Sequence, residues 1–332
     1  MELDETGEPS GSPAEPHVSS GPSGPAEGAP SPSRAGDAHS PGPPGDASSP
    51  AAPDPGDAPA PKKKLGRNLP VAVGVGVLLG GLVLVSLYTV KEIFLGVLAA
   101  FLLIGLHELN GAFATRGIRG PLIPVAAGTV ATAAASYAWG PTGLVAAAAL
   151  TILGVLVWRM PQGADGYVRD ATAGLFLVGY LAVMGGIAAL LLRPDDGDDR
   201  IVVFVAVTVA SDIGGFFAGS FFGRHKLAPS ISPKKTWEGV TGSAIACMAV
   251  GAWLVWWLLD DGHLWQGAVI GAAAVVTATV GDLVESMIKR DLGIKDMGTL
   301  LPEHGGVMDR LDSLIATLPV VWLLLELFVP AK

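Results

Sequence analysis

The sequence predicts an all-α integral membrane protein, a bundle of about nine transmembrane helices that follows a disordered N-terminal tail. Three observations support this fold class. Half of the 332 residues are hydrophobic and only 15% are charged, whereas soluble domains carry about 25% charged residues. From residue 69 onward, apolar runs recur at roughly 17–25 residues, the length that crosses a bilayer core of about 30 Å. Residues 1–61, in contrast, contain almost no apolar residues other than Ala, Pro and Gly.

The first 61 residues form an acidic segment rich in Pro, Gly, Ala and Ser. A segment of this composition buries too little apolar area to offset the entropy lost on ordering, so we expect it to be disordered. It holds ten Asp or Glu residues and one Arg, whereas residues 62–332 hold twenty acidic and twenty basic residues. The net charge of -9 therefore belongs to this tail, and residues 62–332 form a separate, polytopic membrane domain.

Nine apolar segments are predicted to span the membrane. Their approximate limits are 69–88, 92–115, 121–139, 141–159, 171–192, 201–222, 240–259, 264–284 and 313–330. Gly and Ala are frequent within them, which favours close helix packing in lipid. The connections on one side of the nine spans, with their edges, hold sixteen Lys or Arg residues, and those on the other side hold four. By the positive-inside rule, this bias predicts a cytoplasmic N-terminus and an external C-terminus.

The residues that suggest chemistry lie between positions 212 and 312, mainly in two predicted cytoplasmic connections near 223–239 and 285–312. Charges are costly in lipid, so each of them needs a protein or aqueous partner. The second connection combines carboxylates, which bind hard cations such as Mg²⁺, with Lys and Arg, which neutralise phosphate. A pair of glycines there allows a ligand to approach the backbone closely. Together the two connections predict one site for nucleotide or polyphosphate chemistry at the inner membrane face.

Four polar or reactive residues, Asp212, His107, Glu108 and Cys247, lie inside apolar runs. Asp212 indicates a functional or helix-pairing role, because a carboxylate is costly within a span. Glu108 either lines a lipid or metal cavity or pairs with a polar group. The His107-Glu108 pair lacks the second His of a zinc-protease motif, which argues against metal-assisted hydrolysis. Cys247 is the single cysteine of this sequence, so we expect no internal disulfide and no cysteine-based metal site.

The run from Ser286 to Asp312 resembles the signature of the phosphatidate cytidylyltransferases, also called CDP-diacylglycerol synthases. That signature reads Ser-x-apolar-Lys-Arg-x4-Lys-Asp, a spacer, and then His-Gly-Gly-apolar-x-Asp-Arg-apolar-Asp. Every fixed position is met, by Ser286, Lys289, Arg290, Lys295, Asp296, His304, Gly305, Gly306, Asp309, Arg310 and Asp312. One departure is Glu303, since the family often has Gly before the His. The stretch from Ser232 to Gly239 is similar to the family's Ser-Pro-x-Lys-Thr-x-Glu-Gly segment.

The resemblance implies that residues 62–332 form a catalytic domain that converts CTP and phosphatidic acid into CDP-diacylglycerol and pyrophosphate. It also implies Mg²⁺ as the cofactor and leaves a second cation open. As catalytic residues it implies Asp282, Asp309, Lys289 and Asp296. The metal ligands implied are Asp282, Asp309 and Asp312. The substrate-binding residues implied are Ser286, Arg290, Lys295, His304, Gly305, Gly306, Arg310, Ser232, Lys234, Lys235 and Thr236.

The expected partners are CTP, phosphatidic acid and the lipid bilayer, with no nucleic acid and with a homodimer only as the resemblance implies. The expected location is the inner, or plasma, membrane of a bacterium. Two alternatives stay open. A CTP-dependent lipid kinase of the polyprenol type would transfer the γ-phosphate and leave CDP. An ion-coupled transporter would use Asp212, Glu108 and Asp282 as an ion path, although the charges concentrate in the connections and the sequence shows no internal repeat of the kind common in transporters.

Overall fold

A computed structural model describes residues 69–298, 300 and 305–331 of the chain. The predicted tail, residues 1–61, lies outside the described residues. So do Glu303 and His304 of the signature. All statements below concern the described part of the chain.

Helices make up most of the described chain. In chain order they are α1 (Leu69–Thr89), α2 (Lys91–Ala114), α3 (Leu122–Arg159), α4 (Tyr167–Leu177), α5 (Met184–Leu192), α6 (Gly197–Phe222), α7 (Trp237–Leu258), α8 (Leu264–Leu292) and α9 (Met308–Phe328). A 3₁₀ turn, Met160–Gln162, follows α3, and a π-helical turn, Val178–Val183, joins α4 to α5. Seven helical stretches are long and apolar enough to cross a membrane, and α1 contributes a shorter apolar helix, Gly76–Thr89. The multi-span, all-α prediction is therefore confirmed.

The helix α3 turns back on itself at Gly140. The backbone of Gly140 has φ 67° and ψ −147°, outside the helical region, and Pro141 follows it. A straight helix would separate Gly128 from Thr151 by about 34 Å. Instead, a Cβ atom added to Gly128 would lie 2.0 Å from Cγ2 of Thr151. The two halves of α3 are thus antiparallel, and with them the described residues contain nine apolar segments at the predicted positions.

Two helices differ in length from the predicted spans. From hydropathy, the eighth span was predicted to end near residue 284 and the ninth to begin near residue 313. In the structure, α8 continues to Leu292 and α9 begins at Met308. The last turn of α8 carries Lys289 and Arg290, and cations are favourable at the carboxyl end of a helix. Polar residues that were predicted to lie in a connection therefore lie on helices, where their relative positions are fixed.

Small residues bring α6, α7, α8 and α9 into close contact. A Cβ atom on Gly242 of α7 would lie 2.7 Å from the carbonyl oxygen of Gly214 on α6. One on Gly267 of α8 would lie 2.0 Å from the carbonyl oxygen of Gly251 on α7. Backbone therefore packs directly on backbone, as expected for helices that associate in lipid. At one end of this group, α6 and α7 are joined by a β-hairpin of two strands, β1 (Lys226–Ala228) and β2 (Ser232–Thr236).

An apolar cluster lies beside the connection between α8 and α9. It includes Leu109 of α2 and Leu177 of α4, which are completely buried. It also includes Met297 of the connection and Met308, the first residue of α9, both buried. The connection and the start of α9 are thus packed into the core of the bundle.

Replacing Gly140 by Ala is expected to destabilise the protein by about 1–3 kcal/mol, because residues with a Cβ atom rarely adopt this backbone conformation. The guanidinium of Arg193 also lies 3.3 Å from the position that the Cβ would take. Thermal unfolding in detergent measures the effect. Gly154→Ala is the matched control, since a Cβ there meets no atom within 4 Å in the second half of the same hairpin. Equal melting temperatures for the two variants would contradict the turn at Gly140.

Candidate active site

The β-hairpin is held at its base by Glu238, in the first turn of α7. The Glu238 carboxylate accepts hydrogen bonds from the backbone nitrogens of Arg224, at 3.1 Å, and of His225, at 3.2 Å. It also lies 2.6 Å from Nδ1 of His225. These contacts fix where the hairpin leaves α6 and returns to α7, and with it the lysines of β2.

Two consecutive residues of β2 connect the hairpin to the helices. The Oγ1 atom of Thr236, which is only 4% exposed, accepts a hydrogen bond from the backbone nitrogen of Gly239 at 3.1 Å and so caps α7. Next to it, the Nζ atom of Lys235 forms an ion pair with Asp282 of α8. The preceding residue, Lys234, is exposed. The hairpin thus offers one lysine already paired with a carboxylate and one that faces solvent.

Lys289 joins the end of α8 to the start of α9. Its Nζ atom lies 2.5 Å from Oε2 of Glu285 and 2.5 Å from Oδ1 of Asp309. Asp309 also accepts hydrogen bonds from the backbone nitrogens of Met297, at 3.1 Å, and Gly306, at 2.8 Å. Asp309 therefore holds the connection at two points, Met297 and Gly306, as well as the lysine.

Ser313 lies between two carboxylates. Its hydroxyl is 2.8 Å from Oδ1 of Asp282 and 3.1 Å from Oδ1 of Asp312. Since a hydroxyl carries one proton, it donates to one of them at a time. Glu285, only 3% exposed, lies beside Asp312, and its Oε1 atom is buried without a hydrogen-bond partner in the described chain. Three carboxylates are therefore neighbours where α8 meets α9.

Two adjoining cavities open at this place. The first, of about 210 Å³, is lined by Lys234, Lys235 and several small or hydroxyl-bearing residues. The second, of about 460 Å³, is lined by residues of α6, α8 and α9 and of the α8–α9 connection. Asp212, Phe216 and Asp282 belong to the lining of both. The cavities thus form one continuous site with a basic side and an acidic side.

The second cavity has a large excess of negative charge. Its lining contains two cationic side chains, Lys289 and Arg310, against six carboxylates, which are Asp212, Asp282, Glu285, Asp296, Asp309 and Asp312. This excess repels an incoming phosphate unless cations neutralise it.

The donor set suits a divalent cation. Within the described residues, no group of three or more His, Cys, Asp or Glu side chains is arranged to hold a metal ion. Mg²⁺, however, binds through one or two carboxylates plus substrate phosphates and keeps several waters, so it needs no complete protein cage. Hard oxygen ligands at Asp282 and Asp312, the shared hydroxyl of Ser313 and the unpartnered Oε1 atom of Glu285 fit such an ion.

Most of the predicted site residues lie around these cavities. The acidic cavity contains Asp282, Lys289, Asp296, Asp309, Arg310 and Asp312, and the basic cavity contains Lys234, Lys235 and Thr236. Gly305, with φ 79°, and Gly306 lie immediately before α9.

The other predicted residues are placed differently. Ser286 is half-buried on α8, and Arg290 and Lys295 are exposed near its end. Together with Ser232, they are absent from the described lining of either cavity. His304 lies outside the described residues, so its substrate-binding role stays a prediction.

Two polar residues of the acidic cavity, Glu285 and Ser313, were not predicted as site residues from the sequence. Glu285 lies four residues before Lys289, a helical spacing that places both on one face, but the span was expected to end at residue 284. Ser313 directly follows Asp312 and has no distinguishing neighbour in the sequence. For Asp212, the sequence left a functional role and a helix-pairing role open. Its carboxylate lines both cavities, which supports the functional role.

The site has lysines on one side and carboxylates on the other, at the end of a helical membrane bundle. This arrangement suits the transfer of a group from one phosphate to another. The chain belongs to the cytidylyltransferase family, whose sequence profile matches residues 71–328. It is similar to the phosphatidate cytidylyltransferase of Mycobacterium leprae (strain TN), with 36% identity over 280 residues that cover 80% of this chain and 89% of that protein. The enzyme of the same name from Mycobacterium bovis is 33% identical over 277 residues, 80% of this chain and 90% of that protein. The Brucella suis enzyme is 40% identical over 183 residues, 54% of this chain and 64% of that protein.

Replacing Ser313 by Ala is expected to lower kcat/KM for cytidylyl transfer about ten- to a hundredfold, since a hydrogen bond to a charged group contributes roughly 1.5–3 kcal/mol. The loss arises because Asp282 and Asp312 would face each other without the shared donor. Initial rates with CTP measure it. Ser136→Ala is the control, because Ser136 is also buried and bonded, to the Thr132 carbonyl oxygen at 2.6 Å, but lies on α3 away from the cavities. A normal rate for Ser313→Ala would contradict the bridging role.

Proposed function

We propose that this membrane protein transfers the cytidylyl group of CTP to phosphatidic acid, forming CDP-diacylglycerol and pyrophosphate. The observation that carries this proposal is the continuous site in which a lysine-bearing hairpin meets the carboxylates of α8 and α9. Relatives that cover most of the chain are named for this activity. The reaction belongs to lipid biosynthesis, and it requires a site at a membrane surface.

In the proposed reaction, a phosphate oxygen of phosphatidic acid attacks the α-phosphorus of CTP. A new P–O bond forms there, and the bond from the α-phosphorus to the α–β bridging oxygen breaks. The electron pair of the broken bond leaves with pyrophosphate. Because both reactants are anionic, the main obstacle is charge repulsion, and the site has to supply neutralisation and alignment.

Lys234 and Lys235 are the proposed contacts for the triphosphate of CTP. Both line the first cavity, and the hairpin is fixed at its base by Glu238. Lys235 is paired with Asp282 in the structure. When a phosphate group of CTP binds Lys235, it replaces the Asp282 carboxylate as the anionic partner of this lysine. That exchange leaves the Asp282 carboxylate available on the acidic side.

Asp282 and Asp312 are the proposed ligands for Mg²⁺, with Glu285 close enough to complete or orient the set. When bound, the ion supplies positive charge that offsets the developing charge on the phosphate oxygens. Lys289 and Arg310, which line the same cavity, are the proposed phosphate contacts of the protein itself. Asp309 was expected to bind the metal as well, but its oxygens already contact Lys289 and two backbone nitrogens. Its metal role therefore stays a prediction to be tested separately.

A lipid substrate can reach the site from the side of α6. Phe216 lines both cavities and is 69% exposed. Phe217, Phe221 and Phe222 are also exposed along the end of the same helix. This aromatic face is suited to the bilayer, so the head group of phosphatidic acid can enter while its acyl chains stay in lipid. We infer that this face lies at the cytoplasmic surface of a bacterial inner membrane and that the N-terminus is cytoplasmic. The homodimer that the resemblance implies stays a prediction.

The two alternative functions are less favoured. A CTP-dependent lipid kinase would also need a basic and an acidic side, but the relatives that match this chain are named for cytidylyl transfer. For a transporter, the expected path residues should extend across the bundle. Asp212 and Asp282 instead both line the cavities, and Glu108 contacts the start of α9 near the same cavities. The reaction product separates all three possibilities.

Purified protein supplied with Mg²⁺, CTP and phosphatidic acid is expected to produce CDP-diacylglycerol and pyrophosphate in equal amounts. Chromatography of the lipid product, with a coupled pyrophosphate assay, measures both. Asp282→Asn should nearly abolish the reaction because it removes the charge at the junction of the two cavities. Asp260→Asn, in the α7–α8 connection at the other end of the bundle, is the control and should be fully active. Release of CDP with a phosphorylated lipid would identify a kinase instead.

Removing divalent cations with a chelator should stop the reaction, and added Mg²⁺ should restore it, because the carboxylates of the acidic cavity need neutralisation. A Mg²⁺ titration also distinguishes the two roles of Asp309. If Asp309 binds the ion, Asp309→Asn should raise the Mg²⁺ concentration required for half-maximal rate. If it anchors the connection, the maximal rate should fall while the Mg²⁺ requirement stays unchanged. Full activity in the chelator would contradict the proposed cofactor.

A further inference from the structure

Glu108 of α2 lies outside the cavities, yet its carboxylate contacts the residues that shape them. Its Oε2 atom accepts a hydrogen bond from the backbone nitrogen of Met308 at 2.8 Å. Met308 is the first residue of α9, and a negative charge at the amino end of a helix is favourable. Glu108 therefore holds the start of the helix that carries Asp309 and Asp312.

The backbone of the α8–α9 connection also lies directly against this carboxylate. A Cβ atom added to Gly298 would lie 2.2 Å from Oε1 of Glu108, and its three nearest atoms would all belong to Glu108. One added to Gly306 would lie 2.6 Å from Oε2 of Glu108 and 2.8 Å from the backbone nitrogen of Gly298. The absence of side chains at both glycines thus allows the backbone at Gly298 and Gly306 to lie directly against Glu108.

Asp309 holds the same backbone from inside the site. It accepts hydrogen bonds from the backbone nitrogens of Met297, which precedes Gly298, and of Gly306 itself. Among the described residues of the connection, Met297–Gly298 and Gly306 therefore lie between two carboxylates, one in the acidic cavity and one on α2. A shift of Glu108 would move the backbone that positions Asp309 and Lys289.

A carboxylate inside a membrane bundle has a high desolvation cost, which a purely structural contact does not require. Glu108 lies within a long apolar helix, and its Oε1 atom is buried with no hydrogen-bond partner among the described residues. An apolar side chain would pack α2 against the core without this desolvation cost. The contacts of Glu108 are therefore better explained by a geometric requirement at the site than by the stability of the bundle.

We propose that Glu108 is a positioning residue for cytidylyl transfer. It fixes the backbone at Gly298, Gly306 and the start of α9 so that the catalytic carboxylates and Lys289 are correctly placed. The proposal rests on the proposed function. It assigns to α2, which contributes no residue to the described lining of the two cavities, a direct part in the geometry of the reaction.

A double-mutant cycle between Glu108 and Gly298 tests this proposal in the full-length protein. Glu108→Ala removes the carboxylate, and Gly298→Ala inserts a methyl group that displaces it from the Met308 nitrogen. Each change alone is expected to lower kcat about ten- to a hundredfold, because small displacements of reacting groups have effects of that size. The double variant should be no slower than Glu108→Ala, because the methyl group then has no carboxylate to displace. Glu108→Gln keeps an oxygen for the Met308 nitrogen and should recover most of the rate.

Matched controls and a stability measurement complete the experiment. Glu92→Ala removes an exposed carboxylate from the same helix, and Gly111→Ala adds a methyl group where no atom lies within 4 Å; both should be fully active. Melting temperatures of all variants in one detergent separate loss of folding from loss of positioning. If Glu108→Ala fails to fold, the comparison of Gly298→Ala with Glu108→Gln still tests the contact. Additive effects in the cycle, or a rate loss that follows melting temperature alone, would overturn the proposal. An inactive wild-type protein would instead contradict the proposed function.

Discussion

The ion pair between Lys289 and Asp309 connects the parts of the chain on which the site depends. Lys289 belongs to the end of α8, Asp309 belongs to the start of α9, and their atoms meet at 2.5 Å. The same carboxylate accepts the backbone nitrogens of Met297 and Gly306. One aspartate thus links two helices and holds the connection between them at two points. The glycine contacts of the bundle reinforce this link, since Gly281 of α8 lies against the backbone of Asp312 on α9.

The charges of the site are partly neutralised by one another before any substrate binds. Lys235 pairs with Asp282, and Lys289 pairs with Glu285 and Asp309. Unpaired charges buried near the membrane would be costly. These ion pairs therefore allow the substrate-free protein to fold with many charged side chains in one site. Binding of CTP and a metal ion would then replace protein partners with ligand partners. The free energy of binding is correspondingly smaller than the number of charged contacts suggests.

The architecture and most of the site residues could be predicted from the sequence, but the geometry of the site could not. Hydropathy located the apolar segments, and the break between residues 139 and 141 corresponds to the turn at Gly140. The spacing of the signature identified the carboxylates and lysines that surround the acidic cavity. Hydropathy did not reveal that α8 continues to Leu292, because a polar helical end and a polar loop have similar composition.

Other parts of the site depend on contacts between distant residues, which one sequence does not report. Ser313 acquires its role from Asp282, thirty-one residues away. Glu108 acquires its role from Met308, two hundred residues away. Pairing with a polar group was one of the two interpretations left open for Glu108, and the sequence contained no signal for its partner. Such residues become apparent once the helices are placed side by side.

The turn at Gly140 also bears on how the chain enters the membrane. Two apolar segments are joined there without an intervening polar loop, because Trp139, Gly140 and Pro141 make the reversal within α3. Insertion of this pair as a unit moves no charged residue through the hydrocarbon layer, since the stretch from Leu122 to Trp158 contains none. Because α3 reverses at Gly140, its second half returns the chain to the side on which α3 began. Every later helix therefore runs in the opposite direction to the one that a single straight span would give it. A single glycine conformation thus helps to determine on which side of the bilayer the reaction takes place.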